Sequence, residues 1–136
     1  MSAVNIKPNH MEIPWHEYAR KDETVPVTQA CLSEKSSVVG RTGMMLLSCG
    51  TGAWRVRSSM NALSESLGIT CTADIGLLSI SYTCFDGTDS FSQSLCLTTT
   101  GVNTSRLNRL ERFVSDFATE GSRMTGEELH SHLDQI

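Results

Sequence analysis

Two stripes of apolar residues at helical spacing, parted only by Gly50-Thr51-Gly52, leave this chain few ways to fold. Val38, Thr42, Met45, Leu46 and Cys49 share one face at three- and four-residue spacing. Val56, Met60, Leu63 and Leu67 repeat the pattern after the glycines. A corner this short makes the two helices antiparallel neighbours. Gly50 suits a left-handed stop for the first helix, and Gly68 suits one for the second. Thr51 is expected to cap the second helix through its hydroxyl.

The apolar period then switches from helical to two. Ile69, Cys71, Ala73 and Ile75 alternate with Thr70, Thr72 and Asp74. Leu78, Ile80, Tyr82 and Cys84 alternate with Ser79, Ser81 and Thr83. Asp86-Gly87 marks a hairpin turn, and Phe91, Leu95 and Leu97 continue on a third strand. Such short connections force antiparallel pairing, and the Ser/Thr positions predict one wet sheet face. Helical spacing returns with Leu107, Leu110, Val114 and Phe117, which Gly121 ends. Thr125-Gly-Glu-Glu128 reads as a capping box for a last helix carrying Leu129, Leu133 and Ile136. The fold class expected is therefore α+β in two layers. It comprises a helical hairpin, a three-stranded or slightly larger antiparallel sheet, and two C-terminal helices that cover one sheet face.

Residues 1–32 read as a flexible arm broken by Pro8, Pro14 and Pro26, with Trp15 and Tyr18 as potential anchors. Residues 33–136 read as one domain. The formal charge of −4 provides no basic field, so nucleic acid is not an expected partner. The five cysteines form no C-x-x-C pair and are odd in number, which argues against zinc and against a disulfide framework. A reducing compartment suits them. No signal peptide stands at the start, and the longest apolar run, Met44 to Leu47, is one helical turn.

The glycine corner is the place where an anion would be held. Free N–H groups at a helix start meet Arg55 and Arg57 there, and Thr51, Gly52, Arg55 and Arg57 are the ligand-binding candidates. The Gly-Lys-Ser/Thr ending of a phosphate loop is missing. The same residues suit an ordinary turn with Trp54 packed inward and the arginines in solvent. His130 and His132 lie two apart and cannot share a helix face as metal ligands, and the histidines are expected in solvent. Asp74, Asp86 and Asp89 are explained by strand ends and turns. No Gly-x-Ser-x-Gly elbow is present, and no serine has an assignable base. No catalytic residue, metal or cofactor is assigned.

The run Leu46-Leu47-Ser48-Cys49-Gly50-Thr51-Gly52-Ala53-Trp54-Arg55-Val56, closing on Leu67-Gly68-Ile69, resembles the threonine/serine exporter family (ThrE and its YjjP relatives) in its N-terminal cytoplasmic domain. Gly101-Val102-Asn103-Thr104-Ser105-Arg106-Leu107 is similar to that family's Gly-x-Asn/Asp-x-x-Arg/Lys-Leu helix start. Thr125 to Ile136 resembles the helix that precedes its membrane part. Gly52 stands where many members carry an acid, and Cys96-Leu97-Thr98 lacks a basic residue often found there.

The resemblance implies the soluble, cytoplasmic-side domain of an efflux transporter in the cell membrane. It would be a regulatory, ligand-sensing or assembly module without catalysis of its own. Its implied partners are threonine, serine or a dicarboxylate, the membrane part of the same transporter, and a second copy. The last helix is expected to be cut before membrane helices. The alternatives are a small hydrolase-like enzyme and a stand-alone protein-interaction module.

Overall fold

The computed structural model describes residues 13–19 and 24–136. Helix α1 spans Leu32–Ser48 and α2 spans Ala53–Leu67. Strands β1 (Thr70–Ile75), β2 (Ser79–Phe85) and β3 (Ser90–Cys96) form one antiparallel sheet in the order β1-β2-β3. Helices α3 (Thr104–Phe117) and α4 (Gly126–Gln135) complete the chain. Elements, their order and the strand pairing are those the apolar periods dictate; the expected cover of the sheet by the two C-terminal helices is not what forms.

The stops are glycine stops. Gly50 has φ 85° and Gly68 has φ 73°. After α2 the Ile69 N–H bonds to the Ser64 carbonyl and the Gly68 N–H to the Glu65 carbonyl, the paired reverse bonds of a Schellman end. After α1 the last carbonyls are taken by the segment that leads into α3. Gly101 N–H reaches Ser48 O at 3.3 Å and Asn103 N–H reaches Cys49 O at 3.4 Å. One expectation fails at this corner. Gly52, not Thr51, is the N-cap of α2, and no side chain caps that end. Thr51 sits one residue too early for its hydroxyl to reach the first free N–H groups. Thr125 and Glu128 do form the expected capping box on α4.

Strand register pairs Thr72 with Thr83 and Thr83 with Ser92, and likewise Asp74 with Ser81 and Ser81 with Ser94. These residues share the outer face, where Ser81 and Ser94 hydroxyls lie 3.1 Å apart and Thr83 and Ser92 hydroxyls 2.8 Å apart. The Asp86 carboxylate accepts from the Thr88 and Asp89 N–H groups and shapes the β2–β3 turn. The inner face carries Cys71, Ile80, Tyr82, Cys84 and Leu95, all buried.

It is α1 and α2 that cover this inner face, while α3 and α4 pack mainly on the helical hairpin. Helix α1 therefore lies in the middle and is buried along nearly its whole length. Its sequence requires this, because Val38, Val39 and Met44 to Leu47 place apolar groups on more than one face. Gly40 allows the close approach to the sheet. A Cβ there would overlap Tyr82 Oη and come within 2.5 Å of Tyr82 Cζ. The Tyr82 hydroxyl donates to the Ser36 carbonyl at 3.0 Å and lies 2.8 Å from Gln93 Oε1. The five cysteines are free thiols. Cys71 and Cys84 face each other across β1 and β2, and their mutual hydrogen bond, then burial, push the Cys71 thiol up.

Candidate functional site

The four ligand-binding candidates do not converge. Thr51 and Gly52 line a shallow hollow with Leu47, Ile75 and Leu77. Arg55 turns away to α3, where it pairs with Glu111 at 2.7 Å and stacks beside Trp54. Arg57 donates from Nε to the Ala73 carbonyl at 3.3 Å. Trp54 is 70% exposed, so the inward packing expected for it is corrected, and Arg55 has a partner rather than only solvent. The stripe Val56, Met60, Leu63 and Leu67 already fills the buried face of α2, leaving Trp54 on the other side.

A denser constellation lies between α1, α4 and residues 13–19. Ser37 and Arg41 are four apart on α1, and His130 and Asp134 are four apart on α4, so each pair shares a helix face. The two pairs meet rung to rung. Ser37 Oγ is 2.9 Å from His130 Nε2. Arg41 donates to the His130 carbonyl at 3.1 Å, to His130 Nδ1 at 3.2 Å, and to the Asp134 carboxylate. His130 is fully buried, which corrects the expectation of histidines in solvent. His132 is exposed and meets Phe113 edge-on, and His10 lies outside the described residues. The Glu34 carboxyl is buried against the first residue of α4, since a Cβ on Gly126 would come within 2.6 Å of it. A carboxylate is favoured there by the helix dipole.

The proton positions in this seam follow from its donors. A guanidinium can only donate, so His130 Nδ1 accepts from Arg41 and the ring proton sits on Nε2. That N–H points to Ser37 Oγ, and the Ser37 proton goes to the Glu34 carbonyl at 2.6 Å. Burial first, and the nearby Arg41 charge second, lower the His130 pKa to about 3. The ring is neutral at physiological pH.

Residues 13–19 form a strap over this seam. Trp15–Tyr18 is a single 3₁₀ turn, Trp15 is buried, and its ring stacks on His130 with centroids 6.1 Å apart. Thus Trp15 and Tyr18, the proposed anchors, both contact the body of the fold. Tyr18 meets Phe91 edge-on and accepts from Gln93. His16 fastens the strap. Its Nδ1 is 2.6 Å from Glu127 Oε1 and its Nε2 is 2.6 Å from Asp134 Oδ2. Two carboxylates call for two N–H donors, so the bound form is the imidazolium. The Asp134 hydrogen bond holds the His16 pKa above its ordinary value, against partial burial, with Glu127 adding to the rise. For Asp134, burial works upward, but the bonds from Arg41 and His16 outweigh it and hold the carboxyl low.

The strap is therefore expected to be a titratable latch. A raised histidine pKa contributes stability fully below about 6.5, the unfolded value, and loses it as pH rises through the folded value. Asp134 contributes above the ordinary carboxylate range and loses its share only as pH falls through its lowered value. Trp15 fluorescence, read in a Trp54→Phe background, should change as pH is raised beyond the ordinary histidine value of 6.5 and through the raised value of His16. His16→Gln should remove that transition. A transition that survives the substitution would rule out His16 as the fastener.

Beneath the strap lies a groove of about 490 Å³ lined by Trp15, His16, Arg41, Met45, Arg106 and Asp134 among others. Among the described residues, no cluster of histidine, cysteine and acidic residues could hold a metal, and no helix is long and apolar enough to cross a membrane. A family model described as "Putative threonine/serine exporter" (ThrE) matches residues 37–136. The chain belongs to the threonine/serine exporter family. Neither the curated proteins nor the solved structures contain a match. Within the exporter-family helix start Gly101 to Leu107, Asn103 caps α3 by accepting from the Arg106 N–H at 3.0 Å. The Arg106 side chain reaches the groove.

Sequence reasoning missed the seam and the strap because their contacts are long-range. His16 is 111 residues from Glu127 and 118 from Asp134. The signal that could have found the seam is local: polar pairs at four-residue spacing, Ser37 with Arg41 and His130 with Asp134, beside the apolar stripes of two helices.

Proposed function

We propose that this segment is a non-catalytic regulatory module of a threonine/serine exporter-family membrane transporter. It works on the cytoplasmic side, by ligand sensing or by carrier assembly. The cargo of the whole transporter is a small polar metabolite: threonine, serine or a dicarboxylate. Family membership supports the transport setting. The observation that carries the non-catalytic reading is the direction of the Ser37–His130 hydrogen bond. A serine nucleophile needs a base that accepts its proton. His130 gives a proton toward Ser37 instead, and its lone pair at Nδ1 is filled by Arg41. The Ser37 proton is held by a backbone carbonyl. The seam ties the strap to the helices, which suits a part that opens and closes.

Threonine efflux from cells expressing the full-length transporter tests this. Ser37→Ala should keep the rate within about twofold, because no transition-state contact is lost. His16→Gln should alter the pH dependence of efflux without abolishing it. Loss of efflux in Ser37→Ala at normal protein level, of the size expected for a missing nucleophile, would overturn the reading.

A further inference from the structure

The groove under the strap contains a cation that the fold leaves unspent. Arg41 is committed to His130 and Asp134, and His16 to Asp134 and Glu127. Arg106 is different. Among the described residues its side chain makes no ion pair, and its Nε is buried without a hydrogen-bond partner. A buried guanidinium N–H without an acceptor carries a desolvation cost that a bound anion would remove. Glu17, at the rim, is exposed and solvated.

The walls around Arg106 restrict the kind of anion. Ile13, Met45 and Leu133 line the same groove, and Met45 and Leu133 are buried core residues. Ile13 is the half-buried part of this wall, and inorganic phosphate would meet the charge but leave Ile13 wet. A carboxylate matches the planar fork of a guanidinium, and a short alkyl tail would cover the apolar wall. The volume of about 490 Å³ admits a molecule of that size.

We propose that this groove binds a small organic monocarboxylate, with the carboxylate on Arg106 and the alkyl tail against Ile13, over the floor that Met45 and Leu133 form. The site lies apart from the glycine corner. It also stands apart from the regulatory reading, since binding is measured on this chain with no transport assay.

The test is an NMR titration of the isotope-labelled 136-residue chain, held at about pH 6 so that His16 is protonated. The probes are butyrate, butyramide and inorganic phosphate. Butyrate should shift the Trp15 indole and Arg106 Nε–H signals and saturate. Butyramide, which keeps the tail without the charge, should bind about tenfold more weakly or worse. Phosphate should also bind more weakly than butyrate. Arg106→Gln should weaken butyrate by about tenfold or more, with Arg106→Lys between it and the native chain. If Arg106→Gln fails to fold, the three-probe series on the native chain decides alone. Absence of saturable shifts with butyrate overturns the proposal. Equal affinity for butyramide, stronger binding of phosphate, or undiminished binding by a folded Arg106→Gln does so too.

Discussion

Replacing Gly40 with alanine should lower stability by about 2–4 kcal/mol, from overpacking and broken hydrogen bonds. In an open helix the same change would be favourable by up to about 1 kcal/mol, because alanine is the better helix former. Here the added methyl would strike the Tyr82 ring and hydroxyl. Tyr82 cannot swing aside cheaply, since it is buried and held by Ser36 and Gln93. The substitution must push the sheet from α1 or expel the tyrosine. Urea unfolding would show this as a lower midpoint at nearly constant slope. Tyr82→Phe removes the nearest atom, so the two changes together should cost less than their sum. Strict additivity would show that the methyl group is accommodated elsewhere.

The second large effect is acid lability set by His130. In the folded chain this imidazole takes up a proton only near pH 3, against an ordinary value of 6.5. Between those limits the unfolded chain binds a proton that the folded chain refuses, so stability falls as pH falls. The slope from this one group is about 1.4 kcal/mol per pH unit. The sum over the window is several kcal/mol, a large share of the roughly 5–15 kcal/mol typical of a domain. His130→Gln can retain a donor toward Ser37 and removes the titration. Its stability at neutral pH should be lower through lost packing, but its decline between pH 6 and 4 should be shallower. Equal slopes in the two proteins would mean that other groups govern acid unfolding.

These two histidines work in opposite senses, although their rings are only 5.8 Å apart. His16 strengthens the fold when charged, and His130 does so when neutral. Their joint contribution is therefore greatest near the ordinary histidine range and declines on both sides.

The elements themselves were legible because each rests on local chemistry. Gly50 and Gly68 stop helices where a left-handed residue is needed, and Asp86 closes its turn with its own carboxylate. The change of apolar period at Ile69 separates helix from strand without reference to anything distant. Sides were harder to read than elements. Trp54 looked like a core residue by type, but the apolar stripe of α2 had already used the buried face. His130 looked like a surface residue by type, and only Ser37, 93 positions away, and Arg41 make its burial tolerable. The residues of the glycine corner are adjacent in sequence, which alone does not make them converge. The fold sends Arg55 and Arg57 to separate neighbours, while Arg106, read only as part of a family pattern, points to the groove.

Because α1 has sheet on one side and α3 and α4 on the other, no subset of this domain can be detached intact. Severing the chain between β3 and α3 would leave α1 with a bare apolar flank in one fragment, and two helices lacking a bed in the other. Opening should therefore be all-or-none, with the slowest-exchanging amides of α1 and of β2 sharing a single free energy.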